Sequence, residues 1–209
     1  MFWDAAMVVL WTTTYIFALF FSVRNKTYII PPLTHAVIAP AEFGPLISFL
    51  WRGSIAFNYV FFAYVVWCAL EVLLFVNLVR IKAVNKRKLT VLISVFVLLT
   101  GLVTYLIVFK GQMLFLNYFN TFIGETIWLY CIFKDDYFKN KNVVLVFISK
   151  FLADLFAVFF YYGMGTVTIK ILAVALPVVD VIMIVTYVLL NRSLWFPERQ
   201  DRKRSETRK

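Results

Sequence analysis

The chain alternates long apolar runs with short polar connections along nearly its whole length. Each run holds roughly 20 residues, which at about 1.5 Å per residue is enough to cross the hydrocarbon layer of a membrane as an α-helix. The short connections are typical of a helical bundle, because helices satisfy their own backbone hydrogen bonds in lipid. The pattern predicts seven membrane-spanning helices, at residues 2–23, 29–50, 56–79, 88–109, 112–133, 143–163 and 167–190.

Composition indicates the class of protein that these runs form. Hydrophobic residues make up 63% of the 209 residues, and the mean hydropathy is +0.85. No soluble domain of this size needs so much apolar surface. We therefore expect an all-α, multi-pass integral membrane protein, with a single seven-helix transmembrane domain at residues 1–195 and a basic tail at residues 196–209.

The basic residues predict how the helices are oriented. Seventeen of the 21 Lys and Arg residues fall in the first, third and fifth connections or after the seventh run, whereas the opposite connections hold only Arg52 and Lys110. Because Lys and Arg concentrate in cytoplasmic segments, this bias predicts an N-terminus outside and a C-terminus in the cytoplasm. The net charge of +10 therefore indicates membrane topology and not nucleic-acid binding. The tail is expected to contact anionic lipid headgroups.

Ionisable residues lie inside runs that a passive membrane scaffold would keep apolar. One such group near the bilayer centre costs at least about 2.5–3.5 kcal/mol on insertion scales, so we expect these side chains to face the bundle interior, water or one another. Five acids and two bases belong to this set: Glu42, Glu71, Glu125, Asp154, Asp180, His35 and Lys150.

The spacing of these residues predicts some of their partners. Lys150 and Asp154 are four residues apart, which places them on one helix face and predicts a structural ion pair. The other four acids have no obvious basic partner. His35 precedes Glu42 by seven residues, which favours a shared face, although the prolines on either side of Glu42 are expected to bend that helix. Burial and like charge disfavour ionised carboxyls, so some of these acids should hold a proton at neutral pH.

Aromatic side chains make up 19% of the chain, and several share a helix face with these acids. Aromatic faces stabilise a passing cation, and carboxyls transfer protons, so the combination predicts a substrate pocket. Together with His35, five aromatic residues near Glu71 and Glu125 are candidates for lining it: Tyr64, Trp67, Tyr118, Phe122 and Trp128.

Metal and disulfide chemistry are not expected. The only cysteines, Cys68 and Cys131, fall inside apolar runs, where we interpret them as packed thiols. A magnesium site for a diphosphate substrate needs an Asp-rich cluster, and the nearest run, Asp135-Asp136, lies in a basic connection. We therefore predict a protein without a metal or another cofactor.

Two short motifs resemble the small seven-helix integral membrane terpene cyclases of meroterpenoid and prenyl-indole biosynthesis. That family has a Tyr-x-x-Pro segment at the start of its second helix and a glutamate eleven residues beyond the proline. Here the segment at residues 28–31 is followed by Glu42 at that spacing. The family's seventh-helix aspartate corresponds to Asp180, whereas the tryptophan that precedes the family's glutamate is Ala41 in this chain.

The resemblance implies an acid-initiated, metal-independent cyclase that acts on a lipophilic prenylated small molecule. Glu42 and Asp180 would protonate the epoxide or terminal alkene of the prenyl chain. Carbocation cyclisation would follow in the aromatic pocket, and a final proton would be lost. Glu71 and Glu125 would tune the first two acids or accept that final proton.

Two other classes of function fit the same residues. A small proton-coupled transporter would use the buried carboxyls as a proton relay, although an odd helix count and no evident internal repeat weigh against an inverted-repeat transporter. A structural or assembly protein would need no small-molecule chemistry, but that reading leaves the unpaired acids without a purpose.

Overall fold

Eight α-helices form from the apolar runs, in the chain order that the sequence predicts. The computed structural model describes residues 2–52, 59–82, 84–134, 140–161 and 166–192, and no β-strand occurs among them. The helices are α1 (Phe2–Asn25), α2 (Pro32–Ile38), α3 (Pro40–Trp51), α4 (Tyr59–Arg80), α5 (Lys86–Lys110), α6 (Met113–Lys134), α7 (Val143–Tyr161) and α8 (Val167–Leu190). The predicted basic tail at residues 196–209 lies outside the described residues.

Five stretches within these helices are long and apolar enough to cross a membrane, which indicates a membrane protein. They belong to α1, the α2–α3 pair, α4, α5 and α8. The other two long helices also carry polar side chains, among them Asn120 and Glu125 on α6 and Lys150 and Asp154 on α7. These polar side chains are buried inside the bundle and not directed outward.

The second apolar run forms two helices and not the single helix predicted at residues 29–50. A pair of prolines fixes the start of α2, because the locked φ of proline suits a first helical turn. Pro40 then interrupts the helix, since it has no backbone N–H to continue the hydrogen-bond ladder. Ala39 keeps helical dihedral angles (φ −51°, ψ −37°), so α3 follows directly and carries Glu42 in its first turn.

The packing of the helices places α1 and α8 on either side of α7. α1 also packs against α4, α8 also packs against α6, and α3 contacts α4 and α5. The main hydrophobic core includes Tyr15 on α1, Trp67 on α4, Trp128 on α6, Phe147 on α7 and Tyr187 on α8. The bundle interior is therefore built from most of its helices and is rich in aromatic side chains.

Two glycines allow helices to approach closely. A Cβ built on Gly124 of α6 would collide with the side chain of Ile38 on α2, and one built on Gly44 of α3 would lie 2.5 Å from Cγ1 of Val103 on α5. Small residues let helix backbones come together in membrane bundles. Gly124 immediately precedes Glu125, so this contact also helps to fix the height of that acid against α2.

Candidate functional site

Lys150 is the centre of a buried cluster of acids from three helices. Its Nζ lies 2.7 Å from Oδ2 of Asp154 and 2.7 Å from Oδ1 of Asp180, and it also forms an ion pair with Glu125. None of the four side chains is more than 2% exposed. The contact predicted between Lys150 and Asp154 is present. The expectation that Glu125 and Asp180 lack a basic partner does not hold, because α6 and α8 bring both to the same ammonium group.

The three acids of this cluster have the geometry of a cation site. One carboxylate oxygen from each of Glu125, Asp154 and Asp180 lies within 4.8 Å of the others. Oxygen ligands in such an arrangement suit a hard cation. Lys150 provides the cation here, because its ammonium group contacts all three carboxyls.

A second buried group, which we call the Glu42 chain, consists of Glu42, Tyr15, Glu71 and His35. The hydroxyl of Tyr15 donates to Oε1 of Glu42. Glu71 is a close electrostatic neighbour of the same hydroxyl. Glu71 in turn forms an ion pair with Nδ1 of His35. His35 was expected to share a face with Glu42, but the break at Ala39 separates them and His35 pairs with Glu71 on α4 instead.

Glu42 differs from the other buried acids because it has no cationic partner within the described ranges. Its side chain is 7% exposed, and Tyr15 supplies a hydrogen bond to only one carboxyl oxygen. The other oxygen, Oε2, is buried and has no hydrogen-bond partner among the described residues. An unsatisfied buried carboxyl oxygen is costly, so this atom is suited to a ligand or a proton.

A central cavity of about 90 Å³ lies beside Glu42. Asp154 lines it as well, whereas Asp180 does not, so the second acid at this cavity is not the one that the sequence predicted. The remaining wall comes from α1, α2, α3, α4, α6, α7 and α8, and its aromatic members are Trp11, Tyr64, Trp67 and Tyr118.

Three of the five aromatic residues predicted to line a pocket do so: Tyr64, Trp67 and Tyr118. Trp128 instead packs in the core against Phe147, with ring centroids 5.2 Å apart. Phe122 packs in a separate apolar cluster on α6 and α8. Trp11 and Tyr15 of α1 were missed by the sequence reasoning, although their spacing of four residues places both on one face.

Polar contacts hold the aromatic walls of the central cavity. Nε1 of Trp67 donates to Oγ1 of Thr12 at 2.9 Å, and Nδ2 of Asn117 donates to the hydroxyl of Tyr64 at 2.8 Å. The ammonium group of Lys150 lies 5.3 Å from the ring centroid of Trp11, a cation–π distance. The face of Trp11 is therefore already in contact with positive charge.

A second, lateral pocket of about 310 Å³ opens between α2–α3, α4 and α5. His35 and Glu71 line it, and the rest of its lining is apolar. Val72 and Val97 at this pocket are 50% and 58% exposed, as expected of side chains that face lipid. The outer side of the His35–Glu71 pair is thus surrounded by hydrocarbon.

Across the described residues, fold and site together define an all-helical membrane protein in which a buried carboxyl without a cationic partner lies beside an aromatic cavity. Comparisons of the chain with models of known protein families, with curated proteins and with solved structures give no match. A function for this protein therefore depends on the chemistry of the side chains described above.

Proposed function

We propose that this chain is a membrane-embedded, acid-initiated terpene cyclase in which Glu42 protonates the epoxide or terminal alkene of a prenyl chain. One observation carries this proposal: Glu42 is buried at an aromatic cavity and has no ion-pair partner among the described residues. A carboxyl without a cation is most stable in its neutral form in such surroundings. A neutral carboxyl in contact with substrate is a general acid.

The reaction follows from the side chains at the cavity. The proton on Oε2 of Glu42 is transferred to the substrate, and the carboxylate that remains keeps the hydrogen bond from Tyr15. The carbocation moves along the prenyl chain as rings close, stabilised by the faces of Tyr64 and Trp67. A carbon-bound proton is then lost to Asp154, which lines the same cavity. Substrate and product are isomers, since Glu42 gives up one proton and Asp154 gains one.

The size of the central cavity sets a condition on substrate binding. Sites for drug-sized ligands hold about 300–1,000 Å³, several times the about 90 Å³ of this cavity. A prenylated aromatic substrate therefore has to widen it. Met7 of α1 lines the cavity and is the side chain best suited to move, because methionine is unbranched and flexible.

The proposed enzyme crosses the membrane seven times, with α2 and α3 together forming one span. α6 and α7 join the five long apolar stretches because their ionisable side chains, Glu125, Lys150 and Asp154, are buried and paired with one another. Such pairing allows polar residues in a membrane helix. The bias of Lys and Arg supports an external N-terminus and a cytoplasmic C-terminus.

Site-directed variants in a reconstituted assay test the proposal. Purified protein in lipid nanodiscs is incubated with indoles or phenols that carry an epoxidised prenyl chain, and products of unchanged mass are separated by chromatography and mass spectrometry. We expect Glu42→Gln to reduce turnover by about 10²–10⁴-fold, the usual contribution of a general acid. Asp180→Asn should act indirectly, through Lys150 and Asp154.

Tyr187→Phe is the control, because Tyr187 is an equally buried polar side chain that does not line the central cavity and whose hydroxyl bonds to the backbone of Asn140. It should retain most of the activity of the wild-type protein. An active double variant with Glu42→Gln and Asp180→Asn would rule the cyclase out.

A second candidate function, a proton-coupled transporter, is favoured by the way the central cavity joins two groups of acids. Glu42 and Asp154 both line it, and its volume of about 90 Å³ exceeds the about 10–15 Å³ that one water molecule needs, so several waters fit between the two acids. Liposomes loaded with a pH-sensitive dye distinguish the two functions. Solute-dependent acidification that disappears in Glu42→Gln supports transport, whereas product formation without any proton flux supports the cyclase.

A further inference from the structure

Hydrogen-bonding side chains connect Glu42 to the end of the bundle where α1 leads into α2. Ser22 of α1, Asn77 of α4 and His35 of α2 line a small cavity of about 10 Å³ there. That volume is close to the about 10–15 Å³ needed to hold one water molecule. Ser22 and Asn77 each lie three residues before the end of their helices, so they are about 5 Å from the helix ends.

His35 joins this small cavity to the Glu42 chain. It is the fourth residue of α2, about 5 Å from the start of that helix. Its Nδ1 faces Glu71, which leaves Nε2 for a partner in the cavity. A histidine can accept a proton on one ring nitrogen and release a proton from the other.

The remaining members of the chain lie deeper in the bundle. Glu71 is nine residues before the end of α4, and Tyr15 is ten residues before the end of α1, which corresponds to depths of about 14 and 15 Å. Tyr15 donates to Glu42, and Glu71 is its close electrostatic neighbour. The groups therefore follow one another in order of depth, from the end of the bundle to the central cavity.

Apolar surroundings isolate this route from the lipid side. Phe75 stacks on His35, with ring centroids 6.1 Å apart and an interplanar angle of 16°. The other walls of the lateral pocket beside His35 and Glu71 are apolar. Cys68 is a further titratable neighbour of Glu42 and Glu71 on the inner side. No charged residue outside the Glu42 chain pairs with its members in the described part of the chain.

We propose that His35, Glu71 and Tyr15 form a proton-supply route that recharges Glu42 from water at the α1–α2 end of the bundle. Water delivers a proton to Nε2 of His35, and the proton on Nδ1 passes to the carboxylate of Glu71. Glu71 then gives its proton to the oxygen of Tyr15, while the hydroxyl proton of Tyr15 moves to Oε1 of Glu42. Rotation of the carboxyl group exchanges the positions of its two oxygens and turns the new proton toward the central cavity. One proton enters and one reaches Glu42. Glu71 and Tyr15 return to their starting protonation states, whereas His35 has exchanged a proton on Nδ1 for one on Nε2, and a flip of its ring turns an N–H back to Glu71.

This proposal adds to the proposed function and rests on it, because the cyclase reaction is what consumes the proton that the route delivers. A cyclase of this kind leaves Glu42 ionised and Asp154 protonated after each turnover. The route restores Glu42 from the end of the bundle nearest to His35, without a direct exchange across the substrate cavity. Its residues are positioning and proton-transfer groups, and of them Glu42 alone lines the central cavity.

Hydrogen–deuterium exchange at Glu42 tests the route without any substrate. Wild-type protein in nanodiscs is moved from H₂O to D₂O buffer, and the C=O stretch of protonated carboxyls is followed by infrared spectroscopy. Loss of a band in Glu42→Gln identifies the Glu42 signal. We expect Tyr15→Phe and His35→Phe to slow exchange of that band by about tenfold or more, because each removes a proton-transfer group.

Tyr187→Phe is the matched control, because Tyr187 is an equally buried tyrosine whose hydroxyl bonds to the backbone of Asn140, away from the Glu42 chain. It should exchange at the wild-type rate. Wild-type exchange in Tyr15→Phe, or a wild-type protein with no protonated Glu42 band, overturns the route. If exchange depends on Tyr15 but no cyclised product forms, the route stands and the proposed enzymatic function fails.

Discussion

Lys150 determines the electrostatics of its cluster, because it is the common partner of three buried acids. Three carboxyls contact one ammonium group, and all four side chains are nearly inaccessible. One carboxylate is enough to balance the charge of the lysine. Additional negative charge in a low-dielectric site is costly, so the other two carboxyls are most stable with protons. The cluster therefore tolerates loss of an acid better than loss of its base.

Removal of the base is expected to be severely destabilising. Lys150→Met leaves three buried acids without a cation, and breaking a buried ion pair in this way costs about 3–5 kcal/mol. The melting temperature of the protein in detergent, measured by fluorescence-detected size-exclusion chromatography, should fall clearly below that of the wild type. Lys110→Met, at an exposed position at the end of α5, is the control and should melt normally. Equal melting temperatures for both variants would contradict this account of the cluster.

Removal of one acid should have a much smaller effect. In Glu125→Gln the amide keeps the size and the hydrogen-bonding oxygen of the side chain, and Lys150 still has Asp154 and Asp180. The expected change in stability is within about 1 kcal/mol, the typical net value of a single hydrogen bond. The same thermal assay measures it. A loss as large as that of Lys150→Met would mean that all three acids are ionised together.

Among the elements, the helices were predictable from the sequence and their internal partners were not. Hydropathy and bilayer thickness fix the helix positions to within a few residues, and the spacing of four residues predicts the contact of Lys150 with Asp154. The break between α2 and α3 was only expected as a bend, because hydropathy does not fall at Pro40. The contacts of Lys150 with Glu125 and Asp180 join three helices. They could not be predicted, because the periodicity of one helix gives no information about residues on another helix.

The lining of the central cavity was predicted only in part, because the sequence shows which residues share a helix face but not which cavity they reach. Tyr64 and Trp67 were expected beside Glu71, because all three share one face of α4. The two aromatic residues do line the central cavity, but Glu71 lies farther along the helix and faces the lateral pocket. A shared helix face determines the direction in which side chains point but not their depth in the bundle. The sequence alone therefore could not show that these residues line two different pockets.

The close contact between α6 and α2 predicts that a larger residue at Gly124 will destabilise the protein. In Gly124→Ala the added methyl group meets Ile38, and overpacking of this kind costs about 1–3 kcal/mol. Gly101→Ala is the control, because no atom lies within 4 Å of its added Cβ. Better helix propensity should even stabilise that variant by up to about 1 kcal/mol. Thermal unfolding of both variants in detergent checks the difference, and a Gly124→Ala protein at least as stable as Gly101→Ala would contradict it.

The molecule as a whole has an uneven distribution of charge. Basic residues lie at the ends of α1, α4 and α6 and at the starts of α5 and α7, which the odd-numbered connections of the proposed seven-span bundle join on one side. The buried ionisable residues of the described interior are instead paired with one another, with the exception of Glu42, which has no cationic partner among them. The basic residues at the helix ends therefore indicate how the protein is oriented in the membrane, whereas the buried ionisable residues are the ones available for proposed chemistry.

The proposed topology, seven spans with a cytoplasmic C-terminus, predicts how reporter fusions will behave. Green fluorescent protein fused after Lys209 should fluoresce in bacterial cells, because it folds in the cytoplasm and not after export through the general secretory pathway. Alkaline phosphatase at the same position should be inactive, and phosphatase fused at Gln112, between α5 and α6, should be active. The opposite pattern at either site would require an even number of spans or an inverted protein.

The burial of polar groups on α6 and α7 has a consequence for biosynthesis. Within α7, Lys150 can meet Asp154 as soon as the helix forms, but Glu125 and Asp180 arrive on separate helices. The acid on α8 is the last of the four to leave the ribosome, so the Lys150 cluster stays incomplete until the final helix is synthesised. During that interval the incompletely paired polar side chains of α6 and α7 favour contact with the translocon or a chaperone over contact with lipid. We therefore expect these helices to enter the bilayer late and together, once α8 has been synthesised.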